Sequence, residues 1–296
     1  MGVAFAGQHP HLLKQSLTLK IIQKMTTHNA LAWDITEKPI YANNNPLTGY
    51  KAIFRNDNGH LLNVAKKTYT PTSNTRFVEV VERLHEITGF PIRCYDEFEG
   101  GKKVLAFLEC TETIKVQGYD FQDFMLIGNS HDSSTGFFIG NSSKMIRCAN
   151  RFSKIFRQLQ VRHTKNHDAE IEQLLRYVET YMNQRKGLFQ QMERFADVKI
   201  DQTLKDALAE RLIRMTEEEK AGKAEISTRK QNLLYDIERS IDIECKALGD
   251  NLFGLLNGIT HYTTHTRQTK EQVFGNALGS LARINEEAFQ FCEAYA

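Results

Sequence analysis

The chain has 296 residues, 41% of them hydrophobic and 25% charged, and its formal net charge is +2. This composition allows a globular protein with a substantial core, and the 5 prolines are too few to suggest a disordered linker. No apolar run approaches the roughly 20 residues that cross a bilayer, and Met1 to Lys24 lack the pattern of a signal peptide. The 5 cysteines contain no C-x-x-C pair, which argues against a zinc ribbon and favours a reducing cytoplasmic compartment without a membrane partner.

The stretch from Leu31 to Ala65 predicts β structure. Asn43-Asn44-Asn45-Pro46 is a turn cluster, and residues 50–55 alternate in the manner of a strand. Asn56-Asp57-Asn58-Gly59 is a strong turn signal, after which residues 60–65 resume the strand pattern. These signals predict a β-hairpin with a loop longer than two residues.

The period of the apolar residues changes after Ser73 and predicts a helix. Apolar residues between positions 77 and 84 recur at steps of three and four. Ser73 or Asn74 can cap the start of this helix, and Gly89 can close its end. We expect the helix to lie against a sheet.

Further strands follow the helix. Residues 91–98 and 103–109 flank Gly100-Gly101 and predict a second hairpin. Two later segments also have strand character: residues 121–127 and residues 135–139. The expected fold class is α+β, a curved antiparallel sheet whose β-hairpins pack on helices, followed by a mainly helical C-terminal part.

The most informative feature of the sequence is an unbalanced block of positive charge between Ser133 and His167. It contains no acidic residue, and His163 adds a group that can be protonated. Its lysines and arginines are Lys144, Arg147, Arg151, Lys154, Arg157, Arg162 and Lys165. Lys102 and Lys103, at the tip of the second predicted hairpin, offer further cations. Because the whole chain carries only +2, this charge is concentrated in one place, as polyanion binding requires.

The same block has the periodicity of an amphipathic helix over residues 145–159. Its apolar positions are Met145, Cys148, Phe152, Ile155, Phe156 and Leu159. They fall at steps of three and four, with the cations on the opposite face. We therefore expect a helix that docks on the sheet and presents Arg147, Arg151 and Lys154 to solvent.

Four phenylalanines lie close to these cations and could stack on unpaired bases. Helical spacing favours core positions for Phe152 and Phe156. Alternation along a strand predicts that one of Phe137 and Phe138 faces outward.

The composition shifts at Asp168 to amphipathic segments with charges of both signs. We therefore divide the chain into an α+β core with the basic helix, residues 1–167, and a helical region, residues 168–296. The predicted helical segments are residues 174–195, 204–216, 226–248, 251–260 and 274–291. Residues 217–223 have the composition of a solvated hinge. We expect the polar stretch from His261 to Arg267 to fold back near the basic block.

Histidines near the basic block raise the alternative of a metal-dependent nuclease or hydrolase. His131, Asp132, His163 and His167 are suitable ligands, but no Glu follows His163 at the metalloprotease spacing. The more ordinary interpretation is that these side chains hold turns at the edge of the sheet. Cys148 is better explained by packing than by nucleophilic chemistry. We predict no catalytic residue, no metal and no cofactor.

Three motifs, in chain order, resemble the phage/plasmid-like protein family, which is defined by a domain of unknown function. They are Ser130-His131-Asp132-Ser133-Ser134, Ile146-Arg147-Cys148-Ala149-Asn150 and Arg162-His163-Thr164. Ser133 stands where the family usually has Gly, a departure that leaves the turn plausible. The resemblance identifies four residues as candidates for a turn or a site: His131, Asp132, Asn150 and His163.

The resemblance extends over most of the chain, from Tyr50 to Phe291. Asn251 to Tyr262 and Phe274 to Ala277 are also similar to the family's C-terminal segment. Membership implies a mobile genetic element of phage or plasmid origin. Proteins of that setting with a hairpin sheet, a basic helix and a helical tail often handle DNA. Single-strand annealing proteins of the RecT, Redβ and Erf type have this general organisation and act as rings or filaments, which by analogy predicts a homo-oligomer in the host cytoplasm.

Three hypotheses for the function follow. The first is non-enzymatic binding of nucleic acid, with single-stranded DNA favoured, in which cations hold the phosphates while the bases stay available for annealing in recombination. The second is the metal-dependent nuclease or hydrolase. The third is a host-directed protein-binding module, which the near-neutral net charge and the mixed-charge helices allow.

Overall fold

Two antiparallel sheets form the first half of the described chain. The computed structural model describes residues 31–296, so the prediction for Met1 to Lys24 lies outside the described residues. The first sheet contains β1 (Ile35–Ala42), β2 (Asn45–Arg55) and β3 (Leu61–Lys66), paired in that order. The second contains β4 (Ile92–Phe98), β5 (Lys103–Glu109), β6 (Ile114–Val116), β7 (Tyr119–Ser130), β8 (Phe137–Met145) and β9 (Arg151–Val161). Its order is β4-β5-β7-β8-β9, and β6 pairs with β7. The expected α+β fold with antiparallel hairpins is confirmed.

The turns between the strands lie where the sequence predicts them. Asn43 and Asn44 have φ values of 49° and 64° and join β1 to β2. Gly100 and Gly101, with φ values of 68° and 94°, join β4 to β5. A Cβ atom at Gly101 would lie 2.6 Å from the Trp33 ring, so both the backbone conformation and the space require glycine there.

The predicted helix after Ser73 is α1 (Asn74–Thr88). The Ser73 side chain accepts a hydrogen bond from the backbone N–H of Arg76 at 3.0 Å, which satisfies a free donor at the helix start. Gly89 closes the helix with φ 70°, and its N–H donates to the His85 carbonyl at 2.8 Å. The sequence predicted both caps of this helix correctly.

Both faces of the second sheet are covered. Val104 and Ile127 belong to a core on one face, which they share with α1. Leu105 on the opposite face packs with residues of the C-terminal segment around Ala277. Phe137 and Phe138 lie on opposite faces and both are fully buried. The prediction that one of these two rings faces outward was therefore wrong, because the second face is not open to solvent.

The basic block is a β-hairpin, and the prediction of a helix over residues 145–159 was wrong. β8 leads through a turn over residues 146–150 into β9. The register shifts between the Phe138–Gln160 pair and the Gly140–Ile155 pair, where β9 is irregular. This irregularity interrupts strict alternation, so apolar residues recur at steps of three and four within a strand.

Phe152 and Phe156 are core residues, as the sequence predicted, although they lie on a strand. The Phe152 ring stacks on Phe289 with centroids 5.2 Å apart, and the Phe156 ring lies 5.9 Å from Tyr181. Neither ring is available to a nucleobase in this structure, because each is 4% exposed.

Helices dominate the chain after β9. They are α2 (His167–Leu174), α3 (Val178–Asp197), α4 (Gln202–Leu212), α5 (Glu217–Lys220), α6 (Thr228–Leu248), α7 (Leu252–His261), α8 (Gln272–Ala277) and α9 (Ser280–Tyr295). Residues 217–220 form the short helix α5 with a capping box, in place of the expected hinge. The single helix expected over residues 274–291 is two helices, because Gly279 leaves the helical conformation and approaches Gly275 closely. Between residues 31 and 296, no helix is both long and apolar enough to cross a membrane.

The helical region shares a core with the second sheet. Phe121 of β7 lies 5.9 Å from Phe189 of α3 and 6.5 Å from Phe253 of α7, measured between ring centroids. Met145 at the end of β8 belongs to the same cluster. The tip of the β8–β9 hairpin is therefore anchored on the helices that follow it.

Candidate nucleic-acid interface

The basic residues nearest the hairpin tip lie on both sides of its turn. Lys144 on β8 pairs with Arg151 on β9, which places both on the same face of the sheet. Arg147 is exposed within the turn. Its guanidinium lies 5.4 Å from the centre of the Tyr119 ring, and Nη1 donates to the Tyr119 hydroxyl at 3.1 Å. Tyr119 thus holds Arg147 in place without neutralising its charge.

The remaining cations of the block continue along the strand. Arg157 is exposed on the irregular part of β9, and Arg162 and Lys165 are exposed on the chain beyond the strand. A rise of about 3.3 Å per residue gives β9 a length of about 30–35 Å. The cations are therefore distributed along a line, in contrast to the single helical face that the sequence predicted.

Two of the candidate cations are engaged with carboxylates. Lys103 is 8% exposed, and its Nζ lies 2.5 Å from Glu99 Oε2 and 3.0 Å from Asp132 Oδ2. Lys154 Nζ lies 3.8 Å from Glu286 Oε1 and 3.8 Å from the centre of the Phe289 ring. Lys103 thus joins the β4–β5 turn to the β7–β8 turn, and Lys154 contacts the C-terminal helix α9.

The other seven candidate cations form no ion pair with any residue between positions 31 and 296. They are Lys102, Lys144, Arg147, Arg151, Arg157, Arg162 and Lys165. Burial raises the pKa of the Glu244 carboxyl, and Arg147 is close enough to oppose this shift, although the two form no ion pair. Cations without an ion pair are available for contact with phosphates.

A groove of about 1130 Å³ runs between β9 and the C-terminal helices α8 and α9. Arg157 lines it from the strand, while Lys270 and Arg283 line it from the C-terminal segment. All three side chains are exposed, and none has an ion-pair partner within the described chain. Cations therefore enter the groove from two different parts of the structure.

The carboxylates of the groove all have protein partners. Glu99 accepts from Lys103, Glu286 lies near Lys154, Glu287 accepts from Arg211, and Glu271 accepts from the backbone N–H of Glu99. Three of these carboxylates thus lie near cations of the protein, whereas Glu271 is bound by a backbone N–H. Of the lining cations, Arg157, Lys270 and Arg283 form no ion pair within the described chain.

The polar stretch from His261 to Arg267 folds back on the basic hairpin, which confirms the prediction. The Thr264 hydroxyl accepts a hydrogen bond from the backbone N–H of Arg151 at 3.1 Å. His265 Nε2 lies 2.8 Å from the Cys148 carbonyl oxygen. From there the chain continues to Lys270, which lines the groove.

Asn150 is buried at this junction and ties the hairpin tip to the helices. Its side-chain amide donates to Glu244 Oε1 at 3.0 Å and to the Asn257 carbonyl at 3.3 Å. Its oxygen lies 3.1 Å from His265 Nε2. Cys148 nearby packs against the helical core, as predicted, and burial raises the pKa of its thiol.

His131 and His163 are buried in a hydrogen-bonded network. His131 Nε2 lies 2.9 Å from Asn74 Oδ1, and His163 Nε2 lies 2.7 Å from Asn129 Oδ1. Burial lowers the pKa of each imidazole to about 4, so both rings are neutral near pH 7. They connect the second sheet to the segments that precede α1 and α2.

Asp132 and Ser133 build the turn between β7 and β8. Asp132 Oδ1 accepts from the backbone N–H of Ser134 at 2.9 Å, and its other oxygen binds Lys103. Ser133 has φ 64°, in the left-handed region that favours glycine. A glycine at this position would adopt the same conformation without strain.

No group of three or more His, Cys, Asp or Glu side chains in the described part of the chain is placed to hold a metal ion. The rings of His163 and His167 lie 6.2 Å apart, and Asp132 is bound to Lys103. The four suggested ligands therefore do not form one site in this arrangement.

Sequence reasoning missed Lys270 and Arg283. Lys270 is followed by Glu271, and Arg283 by Glu286 and Glu287, so both resembled ordinary mixed-charge surface. Only the tertiary packing of α8 and α9 against β9 brings these cations opposite Arg157.

Comparison with known proteins gives one match. A family model described as Domain of unknown function (DUF932) matches residues 61–284. No curated protein and no solved structure matches the chain.

Proposed function

The chain belongs to the DUF932 family of domains of unknown function, and we propose that it is a non-enzymatic protein that binds single-stranded DNA and promotes annealing in recombination. The proposal includes a phage or plasmid setting, the host cytoplasm as its location, and assembly into homo-oligomers. Annealing requires no catalytic group. It requires a surface that holds the phosphates of one strand and leaves most of the bases free to pair.

The observation that carries the proposal is the arrangement of uncompensated cations in the groove. Arg157 comes from β9, whereas Lys270 and Arg283 come from the facing segment. Three of the four carboxylates that line the groove, those of Glu99, Glu286 and Glu287, already lie near other cations of the protein. A flexible single strand can enter such a groove and meet cations on both sides. Each phosphate that replaces a condensed counterion adds affinity that falls with salt.

The burial of the nearby aromatic rings supports a phosphate-based mode of binding. Phe137, Phe138, Phe152 and Phe156 are all within the core. Contacts from these rings would have engaged the bases and hindered pairing with a second strand. Cations along β9 leave the bases available, which suits annealing.

The alternatives have less support from the geometry. A nuclease centred on His131 would need access to that ring, which is 0% exposed. A protein-binding module would not need a groove with unpaired cations on both sides.

The test is binding to labelled single-stranded and double-stranded DNA over a series of salt concentrations. The informative variant is Arg157→Glu/Arg283→Glu, because it reverses one charge on each side of the groove. For a single strand, the plot of log affinity against log salt concentration becomes less steep by about 0.7 for each phosphate contact that is removed. For the double variant, which removes two contacts, we expect the magnitude of this slope to fall by about 1.4. We expect the unchanged protein to bind single strands more tightly than duplex.

The matched control is Lys186→Glu/Arg229→Glu. Both residues are exposed and lie outside the groove, on α3 and α6, and the change in net charge is the same. An equal loss of affinity in the two double variants would show a general effect of net charge and would contradict the proposal. Absence of binding by the unchanged protein at low salt would also contradict it.

A further inference from the structure

A second cavity lies at the hairpin tip, next to the basic line. Its volume is about 340 Å³, at the lower end of the range for small-ligand pockets. Met145, Ile243 and Leu248 supply apolar walls. Glu244, His261, Arg147 and His265 line the same cavity and can form hydrogen bonds.

Glu244 is a buried carboxylate with unused hydrogen-bonding capacity. It is 4% exposed, and its Oε1 accepts from Asn150 at 3.0 Å. No residue within the described chain donates to Oε2. A carboxylate can accept about four hydrogen bonds, so a ligand with adjacent donors could bind both oxygens. A carboxylate forms stronger hydrogen bonds than a neutral acceptor, which makes Glu244 the strongest recognition group of the cavity.

His261 is the second group of the cavity with unused hydrogen-bonding capacity. Its Nδ1 is buried and makes no hydrogen bond, and no residue between positions 31 and 296 bonds to its Nε2. Burial lowers the pKa of this imidazole, so the ring is neutral near pH 7 and carries one N–H donor. The cavity therefore offers a carboxylate acceptor and a neutral ring that can donate.

The geometry points to a pocket for a single unpaired guanine base of the bound strand, with the Watson–Crick edge on Glu244. Guanine presents two adjacent donors, N1–H and the N2 amino group, whereas adenine, cytosine and thymine each present one donor on that edge. The carboxylate can accept both, and the O6 acceptor of guanine would suit the N–H of His261. Apolar side chains then enclose the faces of the base, as in proteins that read a base outside the stack.

The location of the cavity fits a base attached to a strand in the groove. Arg147 also lines the cavity, and its exposed guanidinium is held by Tyr119 beside the opening. Segment 265–271 connects the cavity to the groove, since His265 lines the cavity and Lys270 lines the groove. Arg147 can thus hold the phosphate of the nucleotide whose base enters the cavity. This inference rests on the proposed binding of single-stranded DNA.

The experiment compares oligothymidylates of about 20 nucleotides, longer than one site, that differ only in one central base. The central base is thymine, guanine, adenine, cytosine or hypoxanthine. Hypoxanthine keeps N1–H and O6 but lacks the N2 amino group. Two good hydrogen bonds to one base correspond to about tenfold discrimination. We expect guanine to bind about tenfold tighter than thymine, with hypoxanthine between them.

The informative variant is Glu244→Gln, which keeps the size of the side chain and replaces one acceptor by a donor. We expect the ratio of guanine to thymine affinity to fall to about one in this variant. Glu238→Gln is the matched control, because Glu238 lies on the same helix and outside the cavity. The ratio should stay unchanged in that control.

Separate outcomes distinguish failure of this inference from failure of the proposed function. Binding of all five oligonucleotides with equal affinity would overturn the guanine pocket alone. A preference that survives in Glu244→Gln would also overturn it. Tighter binding of free guanosine monophosphate than of the guanine oligonucleotide would assign the cavity to a free nucleotide instead. If no oligonucleotide binds, the proposed function fails, and this inference fails with it.

Discussion

Replacement of Arg185 by leucine tests the buried ion pair between α3 and β7. Asp123 is 1% exposed and Arg185 5% exposed, and Arg185 Nε donates to Asp123 Oδ2. Asn141 donates to the other carboxylate oxygen at 2.7 Å. In Arg185→Leu the carboxylate keeps Asn141 but loses its counter-charge inside the core.

We expect Arg185→Leu to lower the free energy of unfolding by about 3–5 kcal/mol, the usual cost of leaving one buried charge without its partner. Burial raises the pKa of Asp123, and Arg185 opposes that shift. Without Arg185 the pKa rises further, so the folded state binds more protons than the unfolded state. Stability then falls as pH rises, and the deficit should be smaller near about pH 5 than near about pH 8.

Urea denaturation with linear extrapolation measures this difference. The double variant Asp123→Asn/Arg185→Leu should recover part of the lost stability, because no buried charge remains. The control is Arg194→Leu, an exposed residue on the same helix. A loss below about 1 kcal/mol in Arg185→Leu, or a deficit that does not depend on pH, would refute the assigned role of the pair.

Three further predictions concern stability. Burial lowers the pKa values of His131 and His163 to about 4, so below about pH 6.5 the unfolded state binds more protons than the folded state. Acidification from about pH 6.5 to about pH 5 should therefore lower the free energy of unfolding by up to about 2 kcal/mol per histidine, which denaturation at the two pH values measures. A Cβ at Gly128 would lie 2.2 Å from the Phe138 ring on β8, so Gly128→Ala should destabilise the protein by about 1–3 kcal/mol in thermal unfolding. Gly187 lies in the middle of α3 with open space around it, so Gly187→Ala should stabilise the protein by up to about 1 kcal/mol in the same measurement. Ser73→Ala removes the N-cap of α1 and should cost about 1 kcal/mol, while Ser73→Asp should retain most of the stability.

Local signals predicted the elements whose structure is determined locally. Ser73 and Gly89 have a fixed role at the ends of a helix, and Asn43-Asn44 and Gly100-Gly101 favour turns through their own backbone preferences. The fold class and the helical C-terminal part followed from such signals. The contact of the stretch from His261 to Arg267 with the basic hairpin was also predicted correctly, although it joins segments that are far apart in the sequence.

The basic hairpin was mispredicted because its structure depends on distant contacts. The irregular register of β9 gave its apolar residues a helical period, and periodicity alone does not distinguish the two structures. Likewise, alternation predicted an exposed ring at Phe137 or Phe138 because nothing local indicates that a later helix covers the second face. Arg157 and Arg283 lie 126 positions apart, so no local pattern could place them in one groove.

The edge of β9 depends on residues that lie more than 100 positions further along the chain. Within residues 31–296, β9 pairs with β8 on one side, and on the other side the Thr264 hydroxyl and the Asn285 amide satisfy the backbone of Arg151. Until α8 and α9 leave the ribosome, this strand edge is open to pairing with other chains. The nascent chain is therefore exposed to edge-to-edge aggregation until α8 and α9 have folded onto β9, and removal of α8 and α9 should reduce solubility before it affects the first sheet.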